Sequence, residues 1–327
     1  MIQNYKIVDI FPYFNEEELL ELRIRVLRDH VDKFIICDAN RTHTGQIKEY
    51  TCKNKLNELN LLSDKINVIE VDLSNLENKE NTWNREKAQR NAAKDLIEEN
   101  DICIVSDLDE IINPIFINYY ALIAKANPNN ILRIPLVSLN TRADLRVFKE
   151  NGEAEKWDNP FFCLKHHLEK YTLSDIRESK SFQIYNIEFS DILIKESDLT
   201  KDAGWHFTWM GGGNRRLIKY RSFMHYFDKK YPDEVVLPKL LDDLKIPNDP
   251  ELRKRLVYDW VNTISPLSQE DTEKHMVSYV PKEGEDIDIL GRKIILKKYS
   301  KEFLPKEIFE NKKIKEFLLP EETNVSV

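Results

Sequence analysis

The chain has 327 residues, enough for one large or two modest domains with a sizeable hydrophobic core. Hydrophobic residues make up 41% and charged residues 32%, which is typical of a globular protein and excludes a disordered one. The formal net charge of −8 argues against non-specific nucleic-acid binding as the main task, because phosphate backbones attract basic surfaces.

The cysteines and the first residues bear on the compartment. The four cysteines include no C-x-x-C pair, and two of them fall inside predicted apolar strands, so we expect reduced core residues. The N-terminus shows no signal-peptide pattern, and no apolar run approaches the roughly 20 residues that a membrane span needs. We therefore predict a cytoplasmic protein without a transmembrane segment, either dissolved or peripheral to the inner face of the membrane.

Apolar strands and amphipathic helices alternate through the first 140 residues. Strands are predicted at 6–11, 34–37, 66–73, 102–105 and 131–139. Helices are predicted over about 16–31, 84–100 and 114–126, with Asn15, Asn84 and Asn113 as their N-caps. This alternation predicts an α/β fold whose mainly parallel central sheet is flanked by helices. After residue 140 the pattern becomes irregular, with a charged helical stretch at 214–264 and a last strand at 292–299.

Two carboxylates follow the apolar strand 102–105, in the sequence Ser-Asp-Leu-Asp-Glu. Residues two apart in an extended segment point to the same side, so Asp107 and Asp109 are expected to share one side and to repel unless a cation lies between them. No glycine-rich phosphate motif occurs in the chain, so a diphosphate would need a metal such as Mg²⁺ or Mn²⁺. An acidic turn after a strand is also common, and the metal interpretation depends on its place at a carboxyl-terminal strand edge, where α/β sheets bind ligands.

The stretch AGWHFTWMGGG at 203–213 concentrates four of the eight glycines and two of the five tryptophans. One interpretation is a loop close to a ligand, because sugars stack on indole faces. The alternative is a tight turn that packs both tryptophans into the core. Its His206 is correspondingly either a metal ligand or a buried, hydrogen-bonded ring.

Four stretches carry a family resemblance: DIFPYFNEEELLELRIRVL at 9–27, VDKFIICDANRTHTG at 31–45, SDLDEIINP at 106–114 and AGWHFTWM at 203–210. Together they resemble glycosyltransferase family 17, the family of the bisecting N-acetylglucosaminyltransferase III. The resemblance implies a GT-A type nucleotide-sugar-binding fold with appended C-terminal helical acceptor elements. Residues 1–140 are then the nucleotide-sugar-binding half and 141–327 the acceptor-binding half of one continuous catalytic domain.

The resemblance also implies roles for individual residues. Asp107, Asp109 and His206 are expected to hold Mn²⁺ or Mg²⁺. The implied donor-binding residues are Asn15, Asp38, Asn40, Arg41, Arg90, Asp107 and Trp205. For Arg90, an ion pair with Glu86 on the helix surface is the alternative. An inverting transfer needs a carboxylate as base, and the sequence leaves these candidates open: Asp191, which we favour, then Glu110, and also Asp175, Glu188 and Asp202.

The expected activity is a metal-dependent inverting transfer of N-acetylglucosamine from its uridine diphosphate to a glycan hydroxyl, giving a β-linkage. The missing anchor argues against finished N-glycans as the acceptor and favours another glycan or a lipid-linked saccharide. Two rival interpretations are a non-catalytic, metal-dependent sugar-binding protein and a D-x-D phosphatase. The phosphatase motif has Gly-Thr after the second aspartate, whereas this chain has Glu110-Ile111 at those positions.

Overall fold

The computed structural model describes residues 5–76, 82–178, 202–228, 251–252, 254–257 and 267–320. Its strands are β1 (Lys6–Tyr13), β2 (Lys33–Ala39), β3 (Ile66–Val71), β4 (Asp101–Val105), β5 (Glu110–Ile112), β6 (Leu132–Arg133), β7 (Leu136–Asn140), β8 (Leu145–Phe148), β9 (Lys156–Trp157), β10 (Phe161–Leu164), β11 (Gly204–Thr208), β12 (Gly284–Ile287) and β13 (Lys293–Lys298). Its helices are α1 (Glu17–Leu27), α2 (Cys52–Glu58), α3 (Thr82–Asn91), α4 (Pro114–Ala126), α5 (Leu173–Glu178), α6 (Gly212–Ser222), α7 (Gln269–Ser278), α8 (Glu307–Glu310) and α9 (Lys312–Leu318).

The first sheet has the order β3-β2-β1-β4-β10-β6. The pairs β3–β2, β2–β1 and β1–β4 are parallel, whereas β10 runs antiparallel to both β4 and β6. Every residue of β4 is buried, and β1 and β2 are buried at nearly every position, which explains why their sequences are continuous apolar runs. The parallel strands end at one edge, and the loop after β4 brings the acidic residues to it.

The second sheet has the order β12-β13-β8-β7-β11-β5, with β9 paired to β7. Its pairs are antiparallel except β11–β7, which is parallel. The short strand β5 directly follows the acidic loop and pairs with β11, so the glycine–tryptophan stretch lies beside the acidic residues. In both sheets, strands from before residue 140 pair with strands from after it. The predicted strand 292–299 is present as β13, and it pairs with β12, which was not predicted.

Several predicted boundaries are wrong for local reasons. The predicted strand 131–139 divides into β6 and β7, which belong to different sheets, because Pro135 between them has no N–H for a ladder. Asn15 does not cap α1 but adopts a left-handed conformation (φ 50°) before it, and Asn84 lies inside α3. The helix predicted to reach residue 100 ends at Asn91 and continues as a 3₁₀ turn to Leu96.

Other local predictions are confirmed. The Asn113 side chain accepts a hydrogen bond from the Ile115 amide (3.3 Å), and Pro114 opens α4. The four cysteines are buried and unpaired, as expected for core residues. Of the helical stretch 214–264, the structure describes α6 and little more. Among the described helices, none has the length and apolarity to cross a membrane.

Candidate active site

The acidic loop between β4 and β5 is a tight turn and not an extended segment. The Glu110 amide donates to the Asp107 carbonyl (3.0 Å), so residues 107–110 form a β-turn. The Phe207 amide of β11 donates to the Asp109 carbonyl (2.8 Å) and fixes the other end of the turn. Because the turn breaks the two-residue alternation, Asp107 and Asp109 acquire different partners, contrary to the expected shared side.

A fully buried ion pair supports this turn. Arg23 of α1 donates to both oxygens of Asp9 in β1 (2.8 and 2.6 Å). The same guanidinium donates to the carbonyls of Asp107 (2.7 Å) and Glu110 (2.8 Å) and to Ser106 Oγ (2.6 Å). One side chain therefore holds the turn through two backbone carbonyls and the hydroxyl of the residue before it. The only sequence signals were a charged residue inside an apolar strand and another inside a helix with a buried face.

Asp107 is held by two arginines. Arg90 of α3 donates to Asp107 Oδ1 (2.9 Å) and also to Glu86. The expected pair with Glu86 is present but buried, and the donor-binding role of Arg90 stays a prediction. Arg177 of α5 donates to Asp107 Oδ2 (2.5 Å). Burial alone would raise the pKa of the Asp107 carboxyl, but Arg177 and then Arg90 lower it below the usual range.

Glu110 has no exposed surface and both its oxygens are occupied. Arg177 donates to Oε2 (3.0 Å) and Oε1 (2.7 Å), the Asp107 amide donates to Oε2 (2.7 Å), and the Trp157 indole N–H donates to Oε1. A carboxylate whose two oxygens already accept four hydrogen bonds has no lone pair left to accept a hydrogen bond from an attacking hydroxyl. This placement does not support Glu110 as the base and makes it the residue that positions Arg177.

Asp109 lies in a different environment. Lys219 of α6 donates to Asp109 Oδ2 (2.7 Å) and to Glu16 Oε1 (2.8 Å), joining α6 to the end of β1. The Nε2 atom of His206 is 3.8 Å from the same Oδ2 atom. The His206 ring stacks on Trp157 with centroids 4.4 Å apart. Its Nδ1 atom is buried and has no hydrogen-bond partner among the described residues.

One group of three side chains in the described part of the chain could hold a metal ion: Asp109, Glu110 and His206, whose ligand atoms lie within 4.8 Å of one another. The structure thus brings two of the three expected ligands together, since His206 pairs opposite Glu110 in the β11–β5 ladder. Asp107, the third expected ligand, is instead directed to Arg90 and Arg177.

The expected nucleoside-binding residues lie at the ends of β1 and β2, and most already have protein partners. Asp38 is buried and accepts hydrogen bonds from Lys48 (2.6 Å) and from the first amides of α2. The Asn40 side-chain NH2 group donates to Asp72 (2.7 Å), and its side-chain oxygen accepts from the Leu73 backbone amide (2.8 Å).

Arg41 and Asn15 lie near the same edge. Arg41 donates to the Gly45 carbonyl (3.2 Å). Asn15 is exposed, and its carbonyl accepts from Arg215 of α6 (2.6 Å). A small pocket beside them is lined by residues that include Asn15, Glu16, Met210, Arg215 and Lys219. Of the expected donor residues, Asn15 therefore has the most open position.

Trp205 lies in the hydrophobic core, 4% exposed, and its indole N–H donates to the Phe303 carbonyl (2.9 Å). This placement fits the tight-turn alternative and not the stacking of a donor sugar on that ring. Two of the open base candidates also have structural partners: Asp202 accepts from Tyr299 (2.7 Å), and Asp175 accepts from the Thr172 amide (2.9 Å). Asp191 and Glu188 lie outside the described residues.

Comparisons with known proteins bear on the family. Residues 2–131 match the family model described as Glycosyltransferase family 17. The crystal structure of 4-diphosphocytidyl-2C-methyl-D-erythritol synthase is similar at 13% identity over 53% of this chain and 84% of that chain, with a TM-score of 0.31 that is too low to argue from. A search of curated proteins finds no match. The matched stretch contains the acidic loop, and its similarity to glycosyltransferase family 17 supports a glycosyltransferase.

Proposed function

We propose that the chain is a metal-dependent, inverting glycosyltransferase of the GT-A type. It moves a sugar, N-acetylglucosamine by family resemblance, from its uridine diphosphate to a hydroxyl of a glycan or a lipid-linked saccharide, and forms a β-linkage. The observation that carries this proposal is the group Asp109, Glu110 and His206 beside the carboxyl ends of the parallel strands. Ligand sites of α/β sheets lie at such edges.

The residues present fit a divalent cation. The Asp109 carboxylate and the His206 imidazole suit Mn²⁺, and the buried Nδ1 atom of His206 has no protein partner within the described chain. Glu110 would join them as a ligand only by releasing one of the four hydrogen bonds that its oxygens accept. Around them, five carboxylates meet three cationic side chains, which leaves two negative charges for one divalent ion. The carboxylates are Glu16, Glu86, Asp107, Asp109 and Glu110, and the cations are Arg90, Arg177 and Lys219.

A metal held there would neutralise charge that develops on the departing nucleoside diphosphate. The protein contributes by holding the side chains of the candidate metal site in fixed positions. Arg23 holds the turn by a hydrogen bond to the Asp107 carbonyl, and Arg177 joins the side chains of Glu110 and Asp107 by donating to both carboxylates. A preorganised site gains catalysis because little reorganisation is needed as charge moves.

The acceptor side of the reaction needs a base that takes the proton of the attacking hydroxyl while the anomeric carbon inverts. Glu110, Asp175 and Asp202 have structural partners, whereas Glu188 and Asp191 lie outside the described residues. Of these two we keep Asp191 as the proposed base. The donor sugar and the uridine base are proposed from the family resemblance.

The test is to incubate the protein with Mn²⁺, a panel of nucleotide sugars and simple glycan acceptors, and to follow the product by NMR. We expect consumption of the uridine diphosphate sugar, a β-linked product, and loss of turnover with a chelator. The Asp109→Asn variant should fail to respond to metal, whereas Arg221→Met, an exposed change on α6, should behave as wild type. An α-linked product would contradict the inverting mechanism. Turnover that does not depend on metal would contradict the proposed metal dependence.

A further inference from the structure

The ammonium group of Lys219 lies where a cation bound to Asp109 would lie. It is 2.7 Å from Asp109 Oδ2, the same oxygen that is 3.8 Å from Nε2 of His206. Its other hydrogen bond goes to Glu16 (2.8 Å), and it also lies 5.9 Å from the centroid of the Trp209 ring. The lysine therefore already neutralises the carboxylate that the metal site needs.

Helix α6 holds this lysine in place. The helix begins at Gly212, which like the preceding Gly211 has a positive φ, and a Cβ at Gly213 would lie 2.4 Å from the Val277 carbonyl of α7. This close approach fixes the first turn of α6 against α7. One turn before Lys219, Arg215 donates to the Asn15 carbonyl (2.6 Å), so two cations tie the helix to the end of β1.

We propose that Lys219 is an exchangeable counter-ion: a divalent cation displaces its ammonium group from Asp109, and the displaced group then binds the diphosphate of the donor. This inference rests on the proposed function, because it takes that function's metal and donor as the two ligands. Two cations cannot share Asp109 Oδ2 without strong repulsion. A diphosphate beside them relieves that repulsion by supplying new oxygens to the lysine.

Coupling between the two ligands follows. The metal alone must compete with a charge-assisted hydrogen bond, so it binds weakly. A nucleoside diphosphate takes up the released ammonium, so each ligand raises the affinity for the other by the same factor. Asp107 differs from Asp109 in accepting hydrogen bonds from two guanidinium groups, Arg90 and Arg177, whereas Asp109 accepts one from a single ammonium group.

The test is calorimetric titration of Lys219→Met with Mn²⁺ alone, with uridine diphosphate alone, and with each in the presence of the other. Without the competing lysine, affinity for Mn²⁺ alone should rise about tenfold or more, the effect of one charge-assisted hydrogen bond. The factor by which Mn²⁺ strengthens uridine diphosphate binding should fall by about the same amount. Arg221→Met removes one positive charge from the same helix at an exposed position and should match wild type.

The outcomes separate this inference from the proposed function. If wild type and Arg221→Met bind uridine diphosphate only with Mn²⁺ but Lys219→Met has unchanged Mn²⁺ affinity, the counter-ion role is overturned and the proposed function stands. If Mn²⁺ strengthens uridine diphosphate binding by the same factor in Lys219→Met as in wild type, the Lys219 ammonium group does not move to the diphosphate. If wild type binds no Mn²⁺ either alone or with uridine diphosphate, the metal-dependent function proposed above is contradicted. Lys219→Gln, which keeps a hydrogen-bond donor without the charge, replaces Lys219→Met if that variant unfolds, and the same shifts are expected.

Discussion

The two ends of the acidic turn differ in how firmly they are held. Asp107 lies between two arginines that also bind Glu86 and Glu110, in a network of hydrogen bonds that involves α3 and α5. Asp109 has a single lysine and an imidazole at 3.8 Å. A carboxylate held by two guanidinium groups has little capacity for another cation, whereas one held by a single ammonium can exchange it. The spacing D-x-D thus places a structural carboxylate and an exchangeable one side by side.

The largest expected effect comes from removing the support shared by both ends. Arg23→Met leaves Asp9 buried without a counter-charge and releases the carbonyls of Asp107 and Glu110. Breaking one partner of a buried pair costs about 3–5 kcal/mol of unfolding free energy. Urea denaturation measures it, and a loss below about 1 kcal/mol would contradict the structure. The double change Asp9→Leu with Arg23→Met should recover part of the loss, because no buried charge is left unpaired.

The comparison itself is tested by matched changes at the two aspartates. Repulsion between two neighbouring carboxylates predicts that removing either one stabilises the protein. The structure reverses this sign at Asp107, because Asp107→Asn leaves two buried arginines with fewer acceptors and is expected to cost about 1–3 kcal/mol. Asp109→Asn should cost less, since Lys219 keeps Glu16. Equal losses in urea denaturation would show that the two ends are held alike.

His206 sharpens the comparison at the exchangeable end. His206→Ala removes a candidate ligand and should lower Mn²⁺ affinity by about tenfold or more, which corresponds to about 1.4 kcal/mol. Its cost in stability should stay under about 2 kcal/mol, because the ring's main described contact is the stack on Trp157. Calorimetry and denaturation measure the two effects separately. Unchanged metal affinity with a large loss of stability would make His206 a core residue.

Features set by neighbouring residues could be predicted from the sequence, whereas contacts between residues far apart in the chain could not. The buried strand, the acidic residues after it and the Asn113 cap follow from nearest neighbours, and they are present. The partners of the acidic residues could not be predicted, because Arg177 is 70 residues from Asp107 and Lys219 is 110 from Asp109. A surface arginine and a buried one look alike in sequence. Trp205 was expected at the donor for the same reason: composition does not distinguish a core indole from a stacking one.

The smallest expected effect is in the acid range and belongs to Asp107. Since the two arginines lower the pKa of its carboxyl in the folded state, the unfolded chain binds a proton there first, at a pKa of about 3.9. The stabilisation is therefore fully present above about pH 4.5 and is lost as pH falls through the lower folded pKa. The Asp107 side chain is 32% exposed, so solvent screening keeps the contribution small, at about 1 kcal/mol or less. The free energy of unfolding is measured from about pH 5 to about pH 2, a range that includes the unfolded pKa. Over this range wild type should lose about 1 kcal/mol or less more than Asp107→Asn does. Parallel curves for the two proteins would mean that the arginines do not hold Asp107 ionised, and the contrast between the two ends of the turn would disappear.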